Sequence, residues 1–189
     1  MAAKIVVTEY MSLDGVIEDP VGMENSGLGD WTGPFCRGPE GDRFKHEELL
    51  SAGSLIFGRT TYERFSEAWP YIKDQTGYAR RMNTLPKFVA SRTLKAAAWG
   101  QSTIWNGDIP ASVAAFKNQG DGEALIFGSA SIVHLLAAAG LIDEYRLMLY
   151  PTILGAGKRL FSEGAASTLS LTETRQFGDG IVLLRYENR

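Results

Sequence analysis

Short runs of β-branched and aromatic residues alternate along this chain with longer stretches in which apolar residues return every three or four positions. Lys4 to Met11 reads as a buried first strand, followed by Ser12-Leu13-Asp14-Gly15 and the apolar pair Val16-Ile17. Asp42 to Ala52 predicts a helix that Gly53 closes, and Ser54 to Phe57 a short strand. Gly58-Arg59-Thr60-Thr61 then turns directly into a helix on which Tyr62, Phe65 and Trp69 share a face before Pro70 stops it. Lys87 to Ala90 and Ser102 to Trp105 are further strands. After them Asp108 caps a helix with Pro110 in its first turn and Gly120 past its end. The unit repeats: a strand from Ala124 to Phe127, the turn Gly128-Ser129-Ala130-Ser131, a helix from Ile132 to Ala139 closed by Gly140, and a strand from Tyr145 to Tyr150. Thr168 to Phe177 and Ile181 to Glu187 flank Gly178-Asp179-Gly180, a hairpin signal. Alternating strands and helices that end in a hairpin predict an α/β fold: a mixed, mostly parallel sheet with helices on both faces and a C-terminal antiparallel hairpin.

Glu18 to Gly41 breaks the pattern. It is rich in Gly, Pro and Asp but carries Trp31 and Phe35. A long connection of this kind predicts a functional covering loop, and the two aromatics argue against a disordered excursion. At 189 residues with 44% hydrophobic content, the expectation is one domain over 1–189 with a continuous core. The net charge of −3 argues against nucleic acid as a partner but allows a small anionic ligand. Cys36 is the only cysteine, so no intramolecular disulfide forms and a reducing compartment fits. Met1 to Gly15 lacks a signal-peptide pattern, and the apolar stretch from Ile132 to Ile142 is too short to span a bilayer. A cytoplasmic location without membrane contact is therefore expected.

Chemistry is expected at three strand-to-helix junctions: Gly58-Arg59-Thr60-Thr61, Ser91-Arg92-Thr93 and Gly128-Ser129-Ala130-Ser131, the last extended to Ile132. In a parallel sheet such junctions meet at the carboxyl ends of the strands, where ligands bind. A helix start offers unpaired N–H groups and a partial positive charge, and glycine lets a phosphate approach the backbone. For any one junction, Ser and Thr also serve simply as helix caps; three matching junctions point to a nucleotide. Where an NAD site carries an acidic residue, this chain has Arg59, Ser91 and Arg92, which suit a 2′-phosphate and favour NADPH.

Other motifs fail. Gly155-Ala156-Gly157-Lys158-Arg159 lacks the first glycine and the final hydroxyl of a Walker loop. Gly128 to Ile132 lacks the second glycine of a nucleophile elbow. With His46 and His134 the only histidines, neither a metal centre nor a Ser-His-Asp system is supported.

Leu55-Ile56-Phe57-Gly58-Arg59-Thr60-Thr61-Tyr62-Glu63 resembles the dihydrofolate reductase superfamily. Within it, the chain is similar to the stand-alone relatives of the reductase domain of the riboflavin-biosynthesis deaminase-reductase. Ser12 to Ile17, Lys87 to Thr93, Ala139 to Glu144, Pro151, Leu154-Gly155 and Leu160-Phe161 extend the resemblance over nearly the whole chain. It implies a dihydrofolate-reductase-like three-layer sandwich, with NADPH pyrophosphate on Gly58–Thr61 and Gly128–Ile132 and the 2′-phosphate end at Ser91, Arg92 and Thr93. It also implies a substrate between the first strand and the helix near Asp42, and a homodimer.

Asp14 matches the substrate-side aspartate of the family, and reads equally as an Asp-Gly turn. Asp42 lies 16 residues before Gly58, the spacing of the pterin-binding carboxylate, and also suits a helix cap. Trp31 and Tyr62 complete the expected substrate contacts, Trp31 from the covering loop. Two departures stand out: Ile126 replaces the acidic residue of the riboflavin reductases, and Ser129 replaces their second glycine. The expectation is thus a reductase of a pteridine- or pyrimidine-like heterocycle or other unsaturated small molecule, with Asp14 or Asp42 serving proton delivery. The alternatives are a nucleotide-binding sensor without turnover and the riboflavin-pathway reductase itself.

Overall fold

The computed structural model describes residues 2–189. Eight strands form one sheet: β1 (Lys4–Ser12), β2 (Ala52–Gly58), β3 (Lys87–Ala90), β4 (Ser102–Trp105), β5 (Glu123–Phe127), β6 (Glu144–Tyr150), β7 (Leu169–Phe177) and β8 (Ile181–Asn188). Their spatial order is β4-β3-β2-β5-β1-β6-β8-β7. The first six run parallel; β8 alone is reversed and pairs antiparallel with both β6 and β7, as the hairpin signal requires. The helices are α1 (Gly38–Ser51), α2 (Arg59–Ala68), α3 (Tyr78–Thr84), α4 (Ile109–Gln119) and α5 (Ala130–Ala138).

The twofold period of the strands sorts the chain into layers. Ile5, Val7, Ile56 and Ile126 face one way and pack with Val113 of α4 and Ile132, Val133 and Leu136 of α5. Val6, Leu55, Phe57 and Leu125 face the other way, against Leu49 of α1, Tyr62 of α2 and Met82 of α3. Burying each such side chain stabilises the fold by roughly 1.5–3 kcal/mol. A third cluster joins Trp31 of the covering loop and Phe44 of α1 to Met148, Tyr150, Ile181 and Leu183 of β6 and β8. The loop aromatics are therefore part of the core. No helix among the described residues is long and apolar enough to cross a membrane.

Three boundaries differ from expectation. Helix α1 begins at Gly38 with Pro39 in its first turn, so Asp42 sits inside the helix and is not its cap; Arg37 holds the N-cap position. Gly53 does not close that helix: Ala52 is already extended, and Gly53 lies within β2 at a shift in register. Helix α3 falls in a polar stretch that gave no helical signal. Its start is held by the carboxylate of Asp74, which accepts from the backbone N–H groups of Gly77, Tyr78 and Ala79. Helix α4 follows expectation, Asp108 accepting from the Ala111 N–H at 3.0 Å.

Candidate active site

Strand register brings the three junctions to one edge, although only two of them open a helix: β3 is followed by a loop into β4, so Ser91-Arg92-Thr93 is not the helix start expected of it and offers no helix dipole. Gly58 lies beside Ala90 across β2 and β3, Ile56 beside Ile126 across β2 and β5, and Thr8 beside Phe127 across β1 and β5. The carboxyl ends of β3, β2, β5 and β1 therefore stand side by side. Ser129 locks two of the turns together. Its Oγ accepts from the Gly58 N–H at 2.8 Å and donates to Thr61 Oγ1 at 2.9 Å. Ser129 itself sits in the left-handed region at φ 66°, a conformation that costs a side-chain-bearing residue energy and is commonest at functional sites. Gly58 and Gly128 are required by crowding: a Cβ on Gly58 would meet Ser129 Oγ at 2.9 Å, and one on Gly128, at φ +61°, would meet Thr61 Oγ1 at 3.1 Å. Neither α2 nor α5 has a side-chain cap. In α5 the Ile132 N–H already bonds to the Ser129 carbonyl at 2.8 Å; the earlier first-turn N–H groups, which a helix does not satisfy internally, are left for water or a ligand.

The two joined turns open, at Thr61 and Gly128, onto a cleft of about 1320 Å³. Its walls come from the end of β1, the covering loop, α1 and α2, with Tyr10, Phe35, Phe65 and Tyr150 among the aromatic contributions. Tyr150 is packed edge-on by Tyr10 and Phe35 at ring separations of 5.4 and 5.9 Å. The loop is pinned at both ends. Buried Asp19 accepts from the Glu24 N–H and from the N–H and hydroxyl of Ser26, bonds that outweigh burial and keep its carboxyl below the usual range. At the far end Arg37 donates to Tyr10 Oη and to Asp42 Oδ1, while Cys36 exchanges bonds with Asp179 of the β7–β8 turn.

Charge lies beneath the aromatics. Lys45 Nζ, on the apolar face of α1, donates to Thr8 Oγ1 at 2.7 Å and to Glu48 Oε2 at 2.5 Å, and the Thr8 hydroxyl donates to the same carboxylate oxygen at 2.9 Å. Glu48 Oε1 faces Arg146 Nη1 of β6 at 3.6 Å. Beside this cluster Glu9 of β1 is 6% exposed, and its Oε1 has no hydrogen-bond partner. Burial pushes its carboxyl well above the ordinary range, opposed mainly by the charge of Lys45 and then by the Gly128 backbone amide.

The expected residues divide. Thr61 and Gly128 line the cleft, and Ser129 fastens them. Arg59 is exposed beside the α2 start and pairs with Glu63 at 3.0 Å. Arg92 and Thr93 are exposed at the end of β3, whereas buried Ser91 spends its hydroxyl on the Thr93 and Leu94 N–H groups. Thr60, Ala130, Ser131 and Ile132 form the first turns of α2 and α5. Asp42 lines the cleft with a side chain 64% exposed, bonded to Arg37.

Three residues expected at the substrate are engaged elsewhere. Asp14 accepts from the Ser12 hydroxyl and the Leu154 and Gly155 N–H groups, which fastens the end of β1 to the loop after β6 and holds its carboxyl down at about 2. Trp31 buries its ring edge-on against Tyr150 and donates from Nε1 to the Glu18 carbonyl. Tyr62 is buried against Phe57 and Trp99, its hydroxyl accepting from the Trp99 N–H. Sequence reasoning missed Glu9, Lys45 and Glu48. Parity carried the signal for the first, since Glu9 shares the phase of Ile5 and Val7; Lys45 and Glu48 share the stripe of Phe44 and Leu49 on α1.

Residues 3–183 match the family described as the RibD C-terminal domain. The chain belongs to that family. It is 26% identical over 187 residues to YyaP of Bacillus subtilis, an uncharacterized protein, covering 97% of this chain and 94% of the relative. YwjB of the same organism, also uncharacterized, is 29% identical, covering 97% of each. Among solved structures, a putative riboflavin biosynthesis protein from Shewanella sp. PV-4 superimposes with a TM-score of 0.77 at 21% identity, covering 100% of this chain and 99% of the other. A pyrimidine reductase-like protein from Corynebacterium diphtheriae gives 0.66 at 12% identity over 99% and 92%. The dihydrofolate reductase of Enterococcus faecalis, in complex with NADP(H) and RAB-propyl, gives 0.61 at 13% over 100% and 99%. These similarities establish the dihydrofolate-reductase-like fold, and family and fold together point to a reductase. Ile126 is fully buried in the core and brings no carboxylate to the site.

Proposed function

We propose that this RibD C-terminal domain relative is an NADPH-dependent reductase of a small unsaturated substrate, a heterocycle of the pteridine or pyrimidine kind or another molecule bearing C=N or C=O. The observation that carries the reading is the Gly58 N–H···Ser129 Oγ···Thr61 Oγ1 chain, which holds two uncapped helix starts together at the rim of one cleft. Those residues fit the cofactor. Glycine at 58 and 128 lets Ser129 and Thr61 draw the two turns together, and the first N–H groups of α2 and α5, which no side chain caps, suit a pyrophosphate. Arg59 and Arg92, exposed at neighbouring strand ends, suit the 2′-phosphate. When bound, reduced nicotinamide supplies the hydride chemistry. The chain itself orients and shelters the substrate: Phe35, Tyr10 and Tyr150 form a rigid aromatic wall, and the pinned covering loop excludes water from the floor at Thr8 and Glu9.

Calorimetric titration with NADPH and NADH tests the reading. Each lost charge-assisted bond costs about 1.5–3 kcal/mol, so wild type is expected to prefer NADPH by at least about tenfold. The Arg59→Ala/Arg92→Ala double variant should bring the two nucleotides close together. Equal affinity in wild type, or a preference that survives the double substitution, would refute the arginine assignment.

A further inference from the structure

Glu9 has no chemical role in the reading above, and its surroundings are unusual for a carboxyl. It lines the cleft, is nearly fully buried, and one of its oxygens lacks a hydrogen-bond partner. Structure alone does not require it there, since its phase on β1 is otherwise filled by Ile5 and Val7, packed in the core. A buried carboxyl with one oxygen unpartnered is costly when ionised and much less so when it keeps its proton.

The charged groups near it come from two elements. Helix α1 contributes Lys45 and Glu48; the covering loop contributes Glu24, whose own carboxyl is raised by burial and by Asp19. The turn after β5 adds the Gly128 amide. Lys45 does not neutralise Glu9 in a dedicated pair, because its ammonium is already bonded to Glu48 and Thr8. This leaves Glu9 with a proton to give and a cation close enough to steady the carboxylate that results.

We propose that Glu9 is the proton donor of the cleft, presenting a neutral carboxyl to a hydrogen-bond acceptor on the substrate and protonating it where that acceptor is an imine-type ring nitrogen. The step moves one proton and no electrons: the Glu9 O–H bond breaks, the nitrogen lone pair forms the new N–H bond, and the negative charge stays on Glu9 near Lys45. The adjacent carbon of the protonated C=N becomes more electrophilic, the state that reduction requires. The substrate class follows: a neutral, weakly basic heterocycle with an in-ring C=N. This inference rests on the reductase reading, although its first test does not.

Difference infrared spectroscopy of the protein alone, titrated around neutral pH, reads the proton directly. Wild type is expected to show a protonated-carboxyl C=O band that is missing from Glu9→Gln. Isoquinoline, whose absorption differs between its neutral and protonated forms, then reports donation. Bound to wild type above its solution pKa it should show the protonated spectrum, and with Glu9→Gln the neutral one. Absence of the carboxyl band from wild type overturns the proposal without any variant. Its persistence in Glu9→Gln, or isoquinoline that stays neutral on wild type or fails to bind, overturns it as well. An NADPH titration run in parallel separates the two readings: a protein with the band and the protonated probe but no NADPH binding refutes the cofactor, not Glu9.

Discussion

Replacing Gly58 by alanine probes the junction with a single methyl group. The backbone at Gly58 has φ −79°, which any residue adopts, so the substitution strains nothing by itself. The new Cβ, however, would meet Ser129 Oγ at 2.9 Å, Ser129 Cβ at 3.1 Å and Ile132 Cγ1 at 3.3 Å, where ordinary contact begins at 3.4 Å. Ser129 must therefore withdraw by roughly half an ångström, which stretches its 2.8 Å bond from the Gly58 N–H. Overpacking costs about 1–3 kcal/mol and a weakened hydrogen bond about 0.5–1.5 kcal/mol, so a loss of about 2–3 kcal/mol is expected. For a domain of this size that lowers Tm by roughly 4–12 °C. Gly53→Ala is the control: its Cβ would meet only the Asp121 and Glu123 carbonyls, at 3.5 and 3.6 Å, and should change stability by no more than about 0.5 kcal/mol. Calorimetric melting gives the first number, and NADPH titration the second, with at least a tenfold weakening expected for Gly58→Ala alone. If Gly58→Ala melts with Gly53→Ala and binds NADPH like wild type, the turns are not coupled through Ser129.

Two further predictions concern pH. Asp14→Asn should weaken the fold by loosening the loop after β6, while leaving NADPH affinity unchanged. Because hydrogen bonds from Ser12, Leu154 and Gly155 hold the Asp14 carboxyl at about 2 against an ordinary 3.8, its contribution is present above pH 3.8 and fades as pH falls toward 2. Denaturation of both proteins across that range should show their difference shrinking with acid, and a constant difference would contradict the assignment. Lys87 is fully enclosed, with Nζ donating to the Asn83 and Leu85 carbonyls 4.3 Å from the Trp99 ring centroid, and burial lowers its pKa to about 8 from 10.5. Between those values the unfolded chain holds a proton that the folded chain has released, so stability gains with rising pH. Wild type should therefore gain on Lys87→Met from pH 8 to 10; parallel denaturation curves would refute this.

The sheet was legible because buried strands announce themselves: Ile5-Val6-Val7 and Leu55-Ile56-Phe57 leave little choice of structure or phase. Two junctions were legible for the same reason, Gly58–Thr61 and Gly128–Ser131 each leading from such a strand into a helix; the third was not a helix start, since a loop carries β3 into β4. The start of α1 was not, because Asp42 imitates a cap while the true signal, Pro39 after Gly38, sits inside a loop-like sequence. The Asp14-Gly15 turn was legible, but the fastening role of Asp14 was not: its N–H donors lie at Leu154 and Gly155, and no local pattern reveals them. Tyr62 looked available until β3 and β4 folded Trp99 onto it. Glu9 and Lys45 were hidden by the habit of assigning charge to the surface. Their positions in the strand and helix periods were visible, but that burial would be exploited was not.

Amide spectra recorded during an NADPH titration test the central claim most directly, because they observe the helix starts themselves. With ¹⁵N-labelled protein, the N–H resonances of residues 59–61 and 130–132, together with Gly128, should shift saturably with added NADPH. Those of the Asp74–Ala79 helix start, already capped by its own carboxylate, should stay put. Shifts confined to other surfaces, or a spectrum unmoved by NADPH, would contradict a nucleotide held between β2–α2 and β5–α5.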